Sequence, residues 1–204
     1  MGLLSSSVSI TQYKVEGQLP APVNEAVLKG LQKNLIIDID NESDDLVSGW
    51  AAFENPYTPE FELAGVSIDT QFVFSLRIDK KTIPAKVLKK HYFLEIARRL
   101  TETGREYLSK NEKSEIREHV KTTLSLRIPA TPNIYDIIWN YEAGQLWFFS
   151  NLKSANEELE TLFSKTFKLT LIRVFPYTMA NLLADLAEPE KDRLAKLAPT
   201  AFMG

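Results

Sequence analysis

Lysine and arginine gather in the middle of this chain, where their positive charges could bind phosphate. The stretch KKTIPAKVLKKHYFLEIARR, residues 80–99, contains seven of them in a protein of net charge −3. Between Arg77 and Arg127 there are 14 basic and 7 acidic residues, a balance of +7, whereas the rest of the chain carries −10. A phosphate-contacting surface needs such a local excess of cations. The alternative is a solvated helical face whose mixed charges neutralise one another.

The spacing of these cations predicts that they lie on two helices. The first helix carries five of them: Lys86, Lys89, Lys90, Arg98 and Arg99. The second carries a stripe at intervals of three or four residues: Lys110, Lys113, Arg117 and Lys121. Three glutamates share that helix and dilute the field: Glu112, Glu115 and Glu118. An array of this kind contacts phosphate without a sequence-reading helix, so any DNA binding should show little sequence preference.

No catalytic pattern competes with this array. The chain has no cysteine, which excludes disulfides, thiolate zinc sites and a cysteine nucleophile and suits a reducing cytosol. The two histidines, His91 and His119, could meet across the helical pair, but no carboxylate spacing supports a metal site and packing or exposure is the favoured interpretation. Glycine-rich phosphate loops and the G-x-S-x-G nucleophile motif are absent from the sequence. We therefore expect no enzyme activity, no cofactor and no metal.

An acidic loop and a group of aromatic residues leave further alternatives open. The loop 38–45 fails the EF-hand pattern, because Ser43 and Gly49 stand where glycine and glutamate are required. We expect a solvated loop, although a two-metal nuclease site also draws carboxylates from several elements. Four aromatic residues could stack on bases, although their alternation favours a core or an oligomer interface: Trp139, Trp147, Phe148 and Phe149.

Hydrophobic periodicity predicts an α+β fold with largely antiparallel sheets and a protruding two-helix hairpin between sheet-forming segments. Predicted strands cover residues 5–16, 46–53, 67–79, 168–176 and a β-hairpin at 133–149 around Gly144. Predicted helices run from Pro22 to about Asn34, Pro84 to about Tyr107, Ser109 to about Thr123, onward from Ser154, and from Tyr177 to Ala187. Capping-box spacing at Ser109–Glu112 and at Ser154–Glu157 predicts the starts of the third and fourth of these helices. Leu88, Tyr92, Ile96 and Leu100 form the apolar stripe of the second of these helices, with Phe93 and Ala97 alongside. Residues 188–204 form a short amphipathic turn or fray.

The chain divides accordingly into three segments. Residues 1–80 form an N-terminal α+β part, 81–128 a basic helical hairpin, and 129–204 a C-terminal part of β-hairpin, helix and strand that can pack with 1–80 as one domain. The longest apolar runs are too short to cross a bilayer, so we expect a cytoplasmic protein.

Several motifs in this order resemble the bacterial RdgC family of recombination-associated DNA-binding proteins. The likeness covers roughly residues 5–176 and rests on order and spacing. It includes a lysine-rich turn that leads into IPAKVLK at 83–89, followed by a charged helical pair whose second helix follows Glu112-Lys113. It also includes a hairpin that contains Trp139 and Gly144, and a helix that follows Ser154-Ala155. Gly49-Trp50 matches an early Gly-Trp of the family.

The resemblance implies a homodimer, ring-shaped in the family, that binds double- and single-stranded DNA without sequence specificity, associates with the nucleoid and restrains the RecA recombinase. Residues implied to face phosphates are Lys80, Lys81, Lys86, Lys89, Lys90, Arg98, Arg99, Lys110, Lys113 and Lys121. Relatives continue beyond the last strand, so a C-terminally short relative is expected to form an open or altered dimer. The turn LRIPATP also lacks an aromatic that relatives place between subunits. Alternatives are a module whose helical hairpin binds an acidic partner and a metal-dependent DNA exonuclease.

Overall fold

An antiparallel sheet organises the chain. The computed structural model describes residues 2–58, 60–184 and 186–197. Its strands are β1 (Thr11–Glu16), β2 (Leu46–Ala51), β3 (Ser67–Ile68), β4 (Gln71–Lys80), β5 (Thr131–Asn140), β6 (Gln145–Phe148) and β7 (Thr170–Val174). The order across the sheet is β2-β4-β5-β6-β1-β7, with β3 paired to β4. Each of these pairings is antiparallel, which confirms the predicted α+β class with a largely antiparallel sheet.

Seven helices accompany the sheet in the described ranges. They are α1 (Val23–Lys33), α2 (Leu63–Val66), α3 (Ala85–Thr103), α4 (Lys110–Ser125), α5 (Lys153–Phe167), α6 (Pro176–Leu183) and α7 (Glu188–Ala195). Helices α1 and α5 pack on each other and on the sheet. Among the described helices, none combines the length and the apolar character that a bilayer crossing requires.

The core lies between the sheet and helices α1 and α5. Trp50 of β2 and Trp139 of β5 are fully buried there. The Trp139 ring packs edge-on against Phe163 of α5, with ring centroids 5.0 Å apart. Phe148 and Phe149 are buried as well, whereas Trp147 is exposed. Trp139, Phe148 and Phe149 therefore pack inside the protein, where no base could stack on them.

Gly49 marks a close approach at one edge of the sheet. The backbone of Ile36 donates to Trp50 O at 3.0 Å, and Trp50 donates to Asn34 O at 2.9 Å. A Cβ on Gly49 would lie 2.4 Å from Ile36 Cα, a distance that real side chains do not adopt. The glycine therefore lets the segment after α1 cover strand β2.

Local turns account for the main departures from the predicted boundaries. The strand predicted at 67–79 is two strands, because Asp69 adopts a φ of 55° and reverses the chain between β3 and β4. Helix α3 stops at Thr103, since Gly104 takes the left-handed conformation at φ 64°. Strand β1 begins only at Thr11. Helix α5 begins at Lys153, so the predicted cap at Ser154 is wrong. The part of the predicted tail at 198–204 lies outside the described residues.

Strands from the two predicted sheet-forming parts belong to the same sheet. Strand β4, from the N-terminal part, pairs along its length with β5, from the C-terminal part. Lys80 stands opposite Thr131 at one end of this ribbon. Helices α3 and α4 therefore lie in the connection from the end of β4 to the start of β5, and these two ends are neighbours in the sheet.

Candidate nucleic-acid interface

Helices α3 and α4 pack mainly on each other. The α3 stripe at four-residue spacing is half-buried: Leu88, Tyr92, Ile96 and Leu100. It covers four buried residues, of which the first lies just before α4 and the other three lie on it: Leu108, Ile116, Val120 and Leu124. No α3 residue is fully buried, so this helix is covered on one side and presents its other faces to solvent. The predicted apolar stripe therefore holds the two basic helices together.

Helix α4 begins at the predicted capping box. Ser109 Oγ accepts from the backbone N–H of Glu112 at 3.3 Å, and Glu112 Oε2 accepts from the Ser109 N–H at 2.9 Å. Arg105 donates to the other Glu112 oxygen at 2.5 Å. The Arg105 guanidinium, together with hydrogen bonding to the backbone and side chain of Ser109, lowers the pKa of Glu112 from 4.5 to about 2. The link between the helices is thus fixed by an ionised carboxylate.

Lys81 is not available to phosphate, contrary to its predicted role. Its side chain is buried, with 4% of the residue exposed. Its Nζ donates to three backbone carbonyls, those of Asp40 at 3.0 Å, Glu42 at 2.8 Å and Ser125 at 2.9 Å. The ammonium thus ties the acidic loop to the C-terminus of α4, where a cation also complements the helix dipole.

Part of the acidic loop also contacts the C-terminal end of α4 and the segment that follows it. Asp45 accepts from Lys121 Nζ at 2.7 Å and from Ser125 Oγ at 2.9 Å, and these two donors lower the pKa of its carboxyl group. Asp40 Oδ1 accepts from the Ala130 N–H at 2.7 Å. The expectation of a solvated loop is therefore wrong for Asp40 and Asp45, which anchor the helical pair. Within the described ranges, the carboxylates and histidines form no group of three or more suited to a metal ion.

The mixed flank of the helical pair is the side on which histidines, glutamate and arginines surround a cavity of about 200 Å³. Its charged and titratable lining consists of His91, Glu95, Arg98, His119 and Arg127. Arg98 donates to Glu95 at 2.5 Å and to Glu102 at 3.0 Å, so its charge is neutralised locally. The two histidines therefore share one cavity, as the sequence had suggested they could.

The basic flank is the opposite side, which has a cavity of about 350 Å³. Lys89 and Phe93 of α3 and Arg117 of α4 line it, together with apolar side chains. Lys110 lies seven residues before Arg117, and Lys113 lies four residues before it. Helical periodicity therefore places both lysines on the Arg117 side of α4. Glu112 and Glu115 lie seven and four residues before His119 and therefore belong to the mixed flank. The basic flank thus carries cations apart from Glu95, Glu112 and Glu115, whereas Arg98 and Arg127 lie on the mixed flank.

The residues predicted to contact phosphate fall into three groups. Lys81 is buried, as described above. Three are within reach of carboxylates: Arg98, Arg99 at 3.9 Å from Glu95, and Lys121. Six are exposed and form no ion pair within the part of the chain that the structure describes: Lys80, Lys86, Lys89, Lys90, Lys110 and Lys113.

Sequence reasoning left two residues of the basic flank out of the predicted contacts. Arg117 is exposed and, like the six lysines, forms no ion pair with any carboxylate that the structure describes. Its spacing from Lys110 and Lys113 was the available signal. Phe93 was expected alongside the apolar stripe, yet 55% of it is exposed. Its neighbour Tyr92 occupies the packed position, and adjacent residues on a helix face different directions.

The basic flank can donate hydrogen bonds to anionic oxygens, because ammonium and guanidinium groups are donors without acceptor capacity. Its geometry suits a charged polymer more than a single small anion, since the cations are spread along two helices. A scan against protein-family models found no match for this chain, and a search of curated proteins found none either.

Proposed function

We propose that this chain is a sequence-independent DNA-binding protein that contacts the phosphate backbone through the basic flank. The observation that carries the proposal is the separation of charge on the helical pair. On one flank lie exposed cations that have no carboxylate partner among the described residues, while Glu95 and Glu102 are paired with Arg98 on the other. Sequence independence follows because lysine-rich surfaces bind phosphates, which every sequence presents.

The motif likeness to RdgC extends the proposal to a biological role. In this role the protein is a homodimer that coats or encircles DNA at the nucleoid and thereby restrains RecA-dependent recombination and fork repair. A second copy of the chain would double the number of cations available to phosphates. Light scattering of the free protein measures this step, and a monomer at every concentration would contradict it.

The salt dependence of DNA binding tests the proposal directly. Each phosphate neutralised on duplex DNA contributes about −0.9 to the slope of log K against log salt concentration. Contact by four to six of the unpaired cations predicts a slope between about −3.6 and −5.4. Gel-shift titrations at several salt concentrations, on two duplexes of unrelated sequence, should give this slope and equal affinities. A slope near zero would overturn the proposal.

A competition experiment separates DNA binding from docking of an acidic protein. Both partners would use the same cations, so polyglutamate is added to the preformed DNA complex at equal charge concentration. DNA binding predicts that polyglutamate displaces the duplex poorly, because its carboxylates lack the regular spacing of a phosphate backbone. Displacement at equal charge would favour an acidic partner instead.

A further inference from the structure

We propose that the basic flank contains a subsite for one unstacked base of single-stranded DNA, centred on Phe93. This inference rests on the proposed function, because it adds a base contact to the phosphate-binding surface. The subsite would make single strands a preferred form of the ligand.

Phe93 is an exposed aromatic residue held in a defined position. Its ring packs edge-to-face with Tyr92, with centroids 5.5 Å apart and an interplanar angle of 63°. Even so, 55% of Phe93 is exposed. An aromatic ring fixed by one neighbour and open on its other side is a platform on which a planar base can stack.

The cavity beside Phe93 has the chemistry of a nucleotide site. Its volume of about 350 Å³ falls in the range of small-ligand pockets. Its apolar lining comes from Ala85, Leu88, Tyr92 and Phe93. Lys89 and Arg117 supply the cations. A base stacked on Phe93 would place the phosphates on either side of it near these two side chains.

The charge and shape of the cavity favour single-stranded DNA over two other occupants. Bases in a duplex are already stacked on their neighbours, so a duplex offers this cavity no free base face. A second copy of this chain would bring the same cations against Lys89 and Arg117, and like charges in contact repel. Single-stranded DNA supplies both an exposed ring and negative charge.

Fluorescence anisotropy on three DNAs tests the subsite. The probes are a labelled oligothymidylate, an oligomer of the same length built from abasic residues, and a duplex with the same number of phosphates. We expect the wild-type protein to bind oligothymidylate about 5-fold to 150-fold more tightly than the abasic strand. Phe93→Ala should abolish this difference, whereas Phe93→Trp should preserve it.

Leu94→Ala is the matched control. Leu94 is 57% exposed, similar to Phe93, but it lines the cavity on the mixed flank. The control variant should keep the preference for bases. Circular dichroism of each variant checks that the helices remain folded, which is expected because the substituted residues are exposed.

The salt slope distinguishes the possible failures. Phe93 carries no charge, so Phe93→Ala should lower the affinity for oligothymidylate at every salt concentration without changing the slope. If the wild-type protein binds abasic and natural strands equally, the subsite is wrong while a steep slope still supports phosphate binding. If Phe93→Ala changes only the oligomeric state in light scattering, the ring serves a contact between copies and the subsite is also wrong. A slope near zero on every DNA would overturn both proposals.

Discussion

At the scale of single residues, Lys81 shows how a cation can serve the fold instead of a ligand. Burial of an ammonium is costly unless hydrogen bonds replace its water. Lys81 meets this requirement with carbonyls from Asp40, Glu42 and Ser125, which lie on two different parts of the chain. It therefore joins the acidic loop, the end of α4 and the strand that precedes α3.

Replacing Lys81 with methionine should destabilise the protein. The substitution keeps most of the apolar stem but leaves three carbonyls without their donor, so we expect the free energy of unfolding to fall by about 2 to 4 kcal/mol. Urea denaturation measures the change. The neighbouring Lys80 is exposed, and Lys80→Met should change the free energy by no more than about 0.5 kcal/mol. Equal effects of the two substitutions would contradict the role assigned to Lys81.

The sequence could not distinguish Lys81 from Lys80. Its partners are backbone carbonyls up to 44 residues away, and a carbonyl is present at every position whatever the side chain. Phe93 presents the same difficulty, because its type fits either packing or exposure. By contrast, helical spacing alone predicted that Arg117 and the lysines of its stripe lie together along α4.

At the scale of elements, local signals predicted where the helices of the basic pair begin. Ser109 and Glu112 form the expected capping box at the start of α4. The four-residue repeat of Leu88, Tyr92 and Ile96 matches the observed contact between α3 and α4. The end of α3 was missed by about four residues, since Gly104 stops the helix through its backbone conformation while the apolar pattern continues. Which side of α3 lies next to which side of α4 depends on how the two helices pack. The periodicity of either helix alone does not determine it.

Protonation of Glu112 should loosen the start of α4 in strong acid. The pKa of Glu112 is about 2 in the folded state, against 4.5 without its partners. Its stabilising contribution is therefore complete above pH 4.5 and is lost as the pH falls through about 2. The Ser109 amide resonance, followed by NMR from pH 6 downward, should show no step near pH 4.5. Arg105→Gln removes the main cause of the low pKa and should move the step upward towards 4.5. A step near pH 4.5 in the wild-type protein would contradict this assignment.

At the scale of the whole molecule, the excess of basic residues and the excess of acidic residues lie in different parts of the chain. The segment with a balance of +7 includes both helices of the basic pair, whereas the remaining residues carry −10. Side-chain contacts of Lys81 with the acidic loop and of Lys121 with Asp45 are among those that connect the two parts. This separation lets an acidic protein present one positive surface, and acidity elsewhere disfavours binding of phosphate to the sheet.

The location of charge, rather than its total, should determine DNA affinity. Two double substitutions remove the same two positive charges from opposite sides of the helical pair: Lys89→Gln with Arg117→Gln on the basic flank, and Arg98→Gln with Arg127→Gln on the mixed flank. If each basic-flank residue contacts one phosphate, the first pair should make the salt slope about 1.8 less steep, at −0.9 per contact. The second pair should change the slope less, because Arg98 already binds Glu95 and Glu102. Equal losses from the two pairs would contradict the assignment of DNA binding to the basic flank.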